Sequence, residues 1–144
     1  MQPHIAVLGR VSGSDHFRNI KRFDVQTYPS VLLVRFDDAL SFLNAASLED
    51  FVTRELASQP SVSHVVINAA AINHIDTSGA LALERLALNI AQTGVSLHLA
   101  EVKGPVSDYL TASGCLKHLG ATIFLSTAQA VAALASDTSK DIAL

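Results

Sequence analysis

Carboxyl, hydroxyl and glycine residues lie together where a buried apolar run gives way to a helical pattern. The segment reads Asp76-Thr77-Ser78-Gly79, and the predicted helix continues to about Gln92. Such side chains accept hydrogen bonds from the free N–H groups of a first helical turn. A hydroxyl there also lies at the positive end of the helix dipole, where an added phosphate is favoured. The segment therefore predicts a helix cap, or a cap that is also a phosphorylation switch.

Other chemistries find little support in the sequence. His74, Asp76 and Ser78 are neighbours, but no serine fits the G-x-S-x-G spacing of a hydrolase elbow, so we expect no catalytic triad. No glycine-rich phosphate loop occurs, and only the backbone N–H groups near Ser78 could contact a nucleotide weakly, as at any helix start. Six histidines lack partners at ligand spacing, so we expect no metal and no cofactor. They are His4, His16, His64, His74, His98 and His118.

Two leucines of the predicted helix, Leu81 and Leu88, fall nearly opposite its core stripe. Either a broad sheet-facing arc or a neighbouring helix buries them, or they form a partner-docking strip beside Ser78 that a phosphate could switch. The core stripe itself comprises Leu83, Leu86, Ala87 and Ile90.

Composition favours one well-packed domain. The 144 residues are 49% apolar and 16% charged, which argues against disorder. A net charge of -3 gives no electrostatic footprint for nucleic acid, and the short basic cluster Arg18, Lys21, Arg22 indicates a linker or surface contact. Cys115 is the only cysteine, so we expect a packed thiol in a reducing compartment. No apolar run is long enough to span a bilayer.

Strands and helices alternate along the chain, which predicts an α/β layer fold with a mostly parallel sheet and a hairpin at its start. One predicted helix is capped by Ser47, with Asp50 in a capping-box position. The hairpin is predicted to pair residues 31–36 with residues 40–43. Predicted strands span residues 5–8, 31–36, 40–43, 64–68, 95–99 and 121–125; the other predicted helices span 77–92, 104–114 and 126–134.

The signature Asp76-Thr77-Ser78-Gly79, between a strand and a helix, resembles that of STAS domains, named for sulfate transporters and anti-sigma-factor antagonists. Residues 3–11 and 15–22 are similar to the segment that joins the transmembrane part of SulP-type anion permeases to their STAS domain. Ser41-Phe42-Leu43-Asn44-Ala45 resembles the pattern that follows in those transporters. The resemblance implies a lead-in over residues 1–24, a STAS domain over 25–135 and a flexible tail over 136–144.

This resemblance implies a central mixed β-sheet of about five strands flanked by about four helices, and no enzymatic activity. In the anti-sigma-factor antagonists the serine before glycine accepts phosphate from a partner kinase, which points to Ser78, with Asp76 as the neighbouring acid and Thr77 and Gly79 as supporting residues. Asn68 stands where the preceding strand often ends in Asp, so it cannot supply that negative charge.

Two functions follow as expectations from the resemblance. One is the cytoplasmic regulatory domain of a SulP-type sulfate-class transporter, soluble by itself and held at the inner face of the plasma membrane. Its partners would be the transmembrane domain of the same transporter and a regulatory protein or kinase, with a homodimer formed through the transporter. The alternative is a free-standing anti-sigma-factor antagonist switched by phosphorylation of Ser78.

Overall fold

A six-stranded mixed sheet forms the centre of the computed structural model, which describes residues 4–119 and 123–135. The strand order is β2-β1-β3-β4-β5-β6; β3 to β6 are parallel, and β1 is antiparallel to both of its neighbours. The mixed α/β fold is therefore confirmed. The strands are β1 (Ile5–Arg10), β2 (Phe17–Asn19), β3 (Val31–Phe36), β4 (His64–Asn68), β5 (Ser96–Ala100) and β6 (Ile123–Phe124).

Helices cover the two faces of the sheet unequally. Buried side chains of α1 to α4 join one apolar cluster, whereas Ala130 and Val131 of α5 join the cluster on the other face. Successive residues of β3 alternate between the two clusters, as the two-residue period of a strand requires. The helices are α1 (Ala45–Ser58), α2 (Thr77–Ala91), α3 (Gly104–Ala112), α4 (Cys115–Leu119) and α5 (Thr127–Leu134).

The predicted strand over residues 40–43 is wrong. The edge of β3 that it would have occupied is taken by β1, with Val7 opposite Val34. Leu40 instead forms a parallel bridge with Ile75, and the chain then turns into α1. The N-terminal segment therefore contributes its own strands to the sheet.

The predicted cap at Ser47 is also wrong, because α1 begins two residues earlier, at Ala45. Asn44 occupies the N-cap position without capping the helix through its side chain. Its amide braces the preceding turn, accepting from Ser41 N–H (3.0 Å) and donating to the Ala39 carbonyl. Because the side-chain amide of Asn44 is engaged in these bonds, it does not cap α1.

The later elements lie close to their predicted positions. The N-cap of α5 is Ser126, whose Oγ accepts from Gln129 N–H (3.1 Å). Residues 121 and 122 of the predicted last strand and the predicted tail, 136–144, lie outside the described residues. Within the described ranges, no helix combines the length and the apolar character that crossing a bilayer demands.

Candidate functional site

The N-terminus of α2 is capped by one carboxylate that serves two donors. Asp76 Oδ1 accepts from the backbone N–H of Gly79 (2.8 Å) and from the hydroxyl of Ser78 (2.8 Å). The backbone of Asp76 is extended, as expected of an N-cap residue. Asp76 is thus the cap, and Ser78 supports it from within the first turn.

These two bonds also set the charge of the site. Donation from Gly79 N–H lowers the pKa of the Asp76 carboxyl below its ordinary value of 3.8, and donation from the Ser78 hydroxyl lowers it further. A smaller contribution comes from His74. The carboxyl is therefore ionised at neutral pH, with its charge beside the Ser78 oxygen.

The other two signature residues hold α2 against its surroundings. Thr77 Oγ1 lies 2.8 Å from the hydroxyl oxygen of Tyr109, which links the start of α2 to α3. Gly79 packs under the chain at Leu40, because a Cβ built on it would lie 2.2 Å from the Leu40 carbonyl oxygen. Any larger residue would push α2 away from this segment.

Ser78 is partly exposed and lines an open groove of about 240 Å³ between the first turns of α1 and α2. Glu49 and Arg85 bring one charge of each sign to the groove walls. The complete lining is Phe42, Ala45, Ala46, Glu49, Ser78, Leu81, Ala82 and Arg85. The groove can receive a side chain or a short segment of a partner.

Two exposed apolar side chains, Phe42 and Leu81, line this groove, and two more, Leu43 and Leu88, lie on the same two segments of the chain. Leu81 and Leu88 are 53% and 63% exposed, so the interpretation in which they are buried is wrong. Phe42 and Leu43, 79% and 90% exposed, project from the turn before α1. Large apolar groups held so openly beside one another are characteristic of contact surfaces. The strip predicted on α2 thus extends onto the neighbouring turn.

Asn68 points to a different part of the molecule. Its amide donates to Glu101 Oε2 (3.1 Å) and to Thr127 Oγ1 (2.9 Å), and its oxygen accepts from Ala70 N–H (3.0 Å). Glu101 Oε2 also accepts from Thr127 N–H (3.1 Å), at the first residue of α5. Asn68 therefore joins the strand ends to α5, and none of these bonds reaches Ser78.

No arrangement of catalytic type occurs at the site. The hydroxyl of Ser78 donates to the capping carboxylate of Asp76 instead of to a base. Among the residues described, no three or more His, Cys, Asp or Glu side chains are grouped so that they could hold a metal ion. What this geometry supports is contact with another macromolecule.

Several participants were missed by reasoning from the sequence. Phe42 was assigned to a strand, and neither Tyr109 nor Glu101 was assigned to the site. The two neighbouring apolar residues Phe42-Leu43, directly before Asn44, carried a usable signal, because a half-buried strand would alternate apolar and polar residues. Nothing in the local sequence indicated the contact between Tyr109 and Thr77.

The mixed sheet and the capped start of α2 define a small α/β domain. The family model described as the STAS domain matches residues 22–130. The chain therefore belongs to the STAS domain family.

Known proteins similar to the chain include anion transporters and a putative anti-sigma factor antagonist. High affinity sulfate transporter 2 of Stylosanthes hamata is 31% identical over 142 residues, covering 91% of this chain and 22% of the relative. The murine Slc26a9 anion transporter, in the inward-facing state, matches with a TM-score of 0.79 and 20% identity over 90% of this chain and 22% of its own. A putative anti-sigma factor antagonist of Thermotoga maritima matches with a TM-score of 0.65 and 15% identity, over 76% of this chain and 91% of its own. The chain spans about a fifth of the length of the transporters it matches.

Proposed function

We propose that this chain is the non-catalytic, cytoplasmic regulatory domain of a SulP-type sulfate-class anion transporter. The observation that carries the proposal is the 31% identity to a sulfate transporter over 91% of the chain. The N-terminal segment contributes β1 and β2 to the sheet. In this function the domain lies at the inner side of the plasma membrane and contacts the transmembrane part of its own transporter.

The size and location of the parent polypeptide test this proposal. The aligned 142 residues make up 22% of the sulfate transporter, which puts that relative at about 650 residues. An antibody against the present chain should detect a protein of similar size in the membrane fraction of the source cells. Detection of only a soluble 15.2 kDa protein would contradict the proposal.

We assign the regulatory role to the exposed leucines of α2, Leu81 and Leu88. Replacing Leu81 and Leu88 with serine should alter sulfate uptake by the full-length transporter, because both side chains are exposed and their loss leaves the core intact. Leu125→Ser is the matched control, since Leu125 is 81% exposed and lies beyond β6, before α5. Equal uptake by all three proteins at equal abundance would remove the regulatory assignment from this surface.

A second candidate is a free-standing anti-sigma-factor antagonist switched by phosphorylation of Ser78. It is favoured by the partial exposure of Ser78 and by the nearly complete coverage of the Thermotoga protein. Phosphorylation would replace the hydroxyl hydrogen that Ser78 donates to Asp76 and would place a phosphate beside that carboxylate. Arg85, which lines the same groove, is a cation that could pair with the phosphate.

Intact-mass analysis after incubation with candidate switch kinases tests this second function. The expected product carries one phosphate on Ser78, and Ser78→Ala should abolish the mass increase. Thr77→Ala is the matched control, since it removes the adjacent hydroxyl alone. An unmodified wild-type chain, or partner binding unchanged by Ser78→Asp, would exclude the switch.

A further inference from the structure

A surface of basic and apolar side chains lies at one edge of the sheet, on β2 and the turn that follows it. Arg18, Lys21 and Arg22 are all exposed, and they account for three of the ten Lys and Arg residues of the chain. Between and beside them, Ile20 and Phe23 are 39% and 50% exposed. These five residues are referred to below as the edge patch.

The edge patch is held in a defined turn. The backbone N–H groups of Arg22 and Phe23 both donate to the Asn19 carbonyl (3.1 and 3.2 Å), and Lys21 N–H donates to the Asn19 side chain (3.0 Å). Ile20 N–H donates to Val7 of β1 (3.0 Å), which fixes the turn to the sheet. The five side chains are therefore presented together by a folded support.

Charge distinguishes this surface from the rest of the protein. Residues 18–24 carry three cations and one acid, Asp24, for a net charge of +2 within a chain of net charge -3. The remaining residues therefore carry -5. The ion pairs found among the described residues, Arg10–Asp15 and Arg35–Asp37, do not involve the three cations of the edge patch.

We propose that the edge patch binds the anionic surface of a lipid bilayer. Clustered Lys and Arg side chains are attracted to anionic headgroups, while exposed apolar side chains between them enter the boundary with the acyl chains. Charge complementarity favours this partner. The edge patch is positive and is attracted to an anionic bilayer, whereas the rest of the chain carries a net negative charge and is repelled by it. The inference does not depend on the transport function, since it concerns a surface of the isolated chain.

Vesicle binding by the whole 144-residue chain tests the charge requirement. The chain should co-sediment with vesicles of equimolar phosphatidylcholine and phosphatidylserine, and much less with phosphatidylcholine alone. Each basic residue contributes about fivefold in partitioning, so Arg18→Gln/Lys21→Gln/Arg22→Gln should weaken binding roughly 100-fold. Molar salt should have a similar effect, because it shortens the Debye length to about 3 Å.

A matched control separates local charge from net charge. Arg54→Gln/Lys103→Gln/Lys117→Gln removes the same number of charges from exposed positions on α1, before α3 and on α4. This variant should bind the mixed vesicles as well as the wild type does. Equal weakening by both triple variants would overturn the edge patch as the site. Failure of the wild type to bind the mixed vesicles would overturn the lipid partner in favour of an acidic macromolecule.

The orientation of the bound chain has its own readout. The chain contains no tryptophan, so Phe23→Trp introduces a single fluorescent reporter into the edge patch. Its emission should shift to the blue on addition of the mixed vesicles, whereas Phe42→Trp, at another exposed position, should not change. A shift at position 42 alone, or at neither position while binding persists, would overturn insertion of the edge patch.

Discussion

Gly79→Ala is expected to destabilise the domain, although alanine is normally the better helix former. In an open helix this change stabilises by about 0.5–1 kcal/mol. Here the added Cβ would lie 2.2 Å from the Leu40 carbonyl oxygen, 2.8 Å from its carbon and 3.1 Å from Ile75 Cγ1. Two of these atoms belong to the backbone, so either α2 or the segment at Leu40 must move by about 1 Å.

Overpacking of this kind costs roughly 1–3 kcal/mol, and backbone contacts lie at the upper end of that range. After the gain in helix propensity, the net loss is about 1–2 kcal/mol of unfolding free energy, measurable as a lower urea midpoint at unchanged slope. Gly104→Ala is the matched control, because a Cβ there meets nothing within 4 Å at the first residue of a helix. Equal stability of the two variants would refute the reasoning.

The remaining predictions concern the cap, the strand ends and two buried groups. Ser78→Ala should lower the free energy of unfolding by about 1 kcal/mol or less. Asp76→Ala should lower the melting temperature more than Ser78→Ala does, because Asp76 is the cap of α2. A larger loss of stability from Ser78→Ala would be inconsistent with this assignment. Since its pKa is lowered, the contribution of Asp76 is present above pH 3.8 and is lost as the pH falls through its folded value. Glu101 has a φ of 58°, a left-handed conformation that glycine adopts without strain. Glu101→Gly should therefore be about 1 kcal/mol more stable than Glu101→Ala, since both variants lose the bonds to Thr127 equally. Equal urea midpoints of the two variants would argue against strain at this position. The pKa of His98 lies below its ordinary value of 6.5, mainly because the ring is buried and to a smaller extent because of the charge of His64. Below pH 6.5 the unfolded chain therefore binds more protons than the native chain, and the native state loses stability. His98→Gln should therefore flatten the pH dependence of unfolding between neutral and acidic pH, whereas exposed His16→Gln should not, and equal slopes would disprove the assignment. Burial, and then the charge of Glu84, raises the pKa of Cys115 to about 11, so native protein should resist iodoacetamide at pH 8 until it is unfolded; rapid native labelling would contradict this.

Elements with a strong local signal were predictable from the sequence. The residues of β4 were predicted as a strand from a continuous apolar run, and α2 was predicted from its periodic core stripe and from the capping segment at residues 76–79. Gly94 and Gly114 follow α2 and α3, and both have the positive φ that suits the end of a helix. In each case the decisive interaction lies within a few residues.

Features that depend on distant pairing were not predictable. The partner of β3 was assigned to residues 40–43 because they follow next in the chain, whereas β1, about 27 residues earlier, occupies that edge. The cap of α1 failed for a related reason, since the Asn44 side chain is engaged by the turn before the helix. Exposure of Leu81 and Leu88 likewise depended on where neighbouring helices lie.

The position of β1 bears on how the domain can be divided. The matched family region begins at residue 22, yet residues 5–7 of β1 pair with β3, the third of the six strands in the sheet. A fragment starting at residue 22 would leave the almost wholly buried strand Val31–Phe36 as an open edge. Unpaired N–H and C=O groups on such an apolar strand are a template for pairing with another chain. The N-terminal strands thus protect the domain from self-association, and a boundary drawn by sequence similarity would remove that protection.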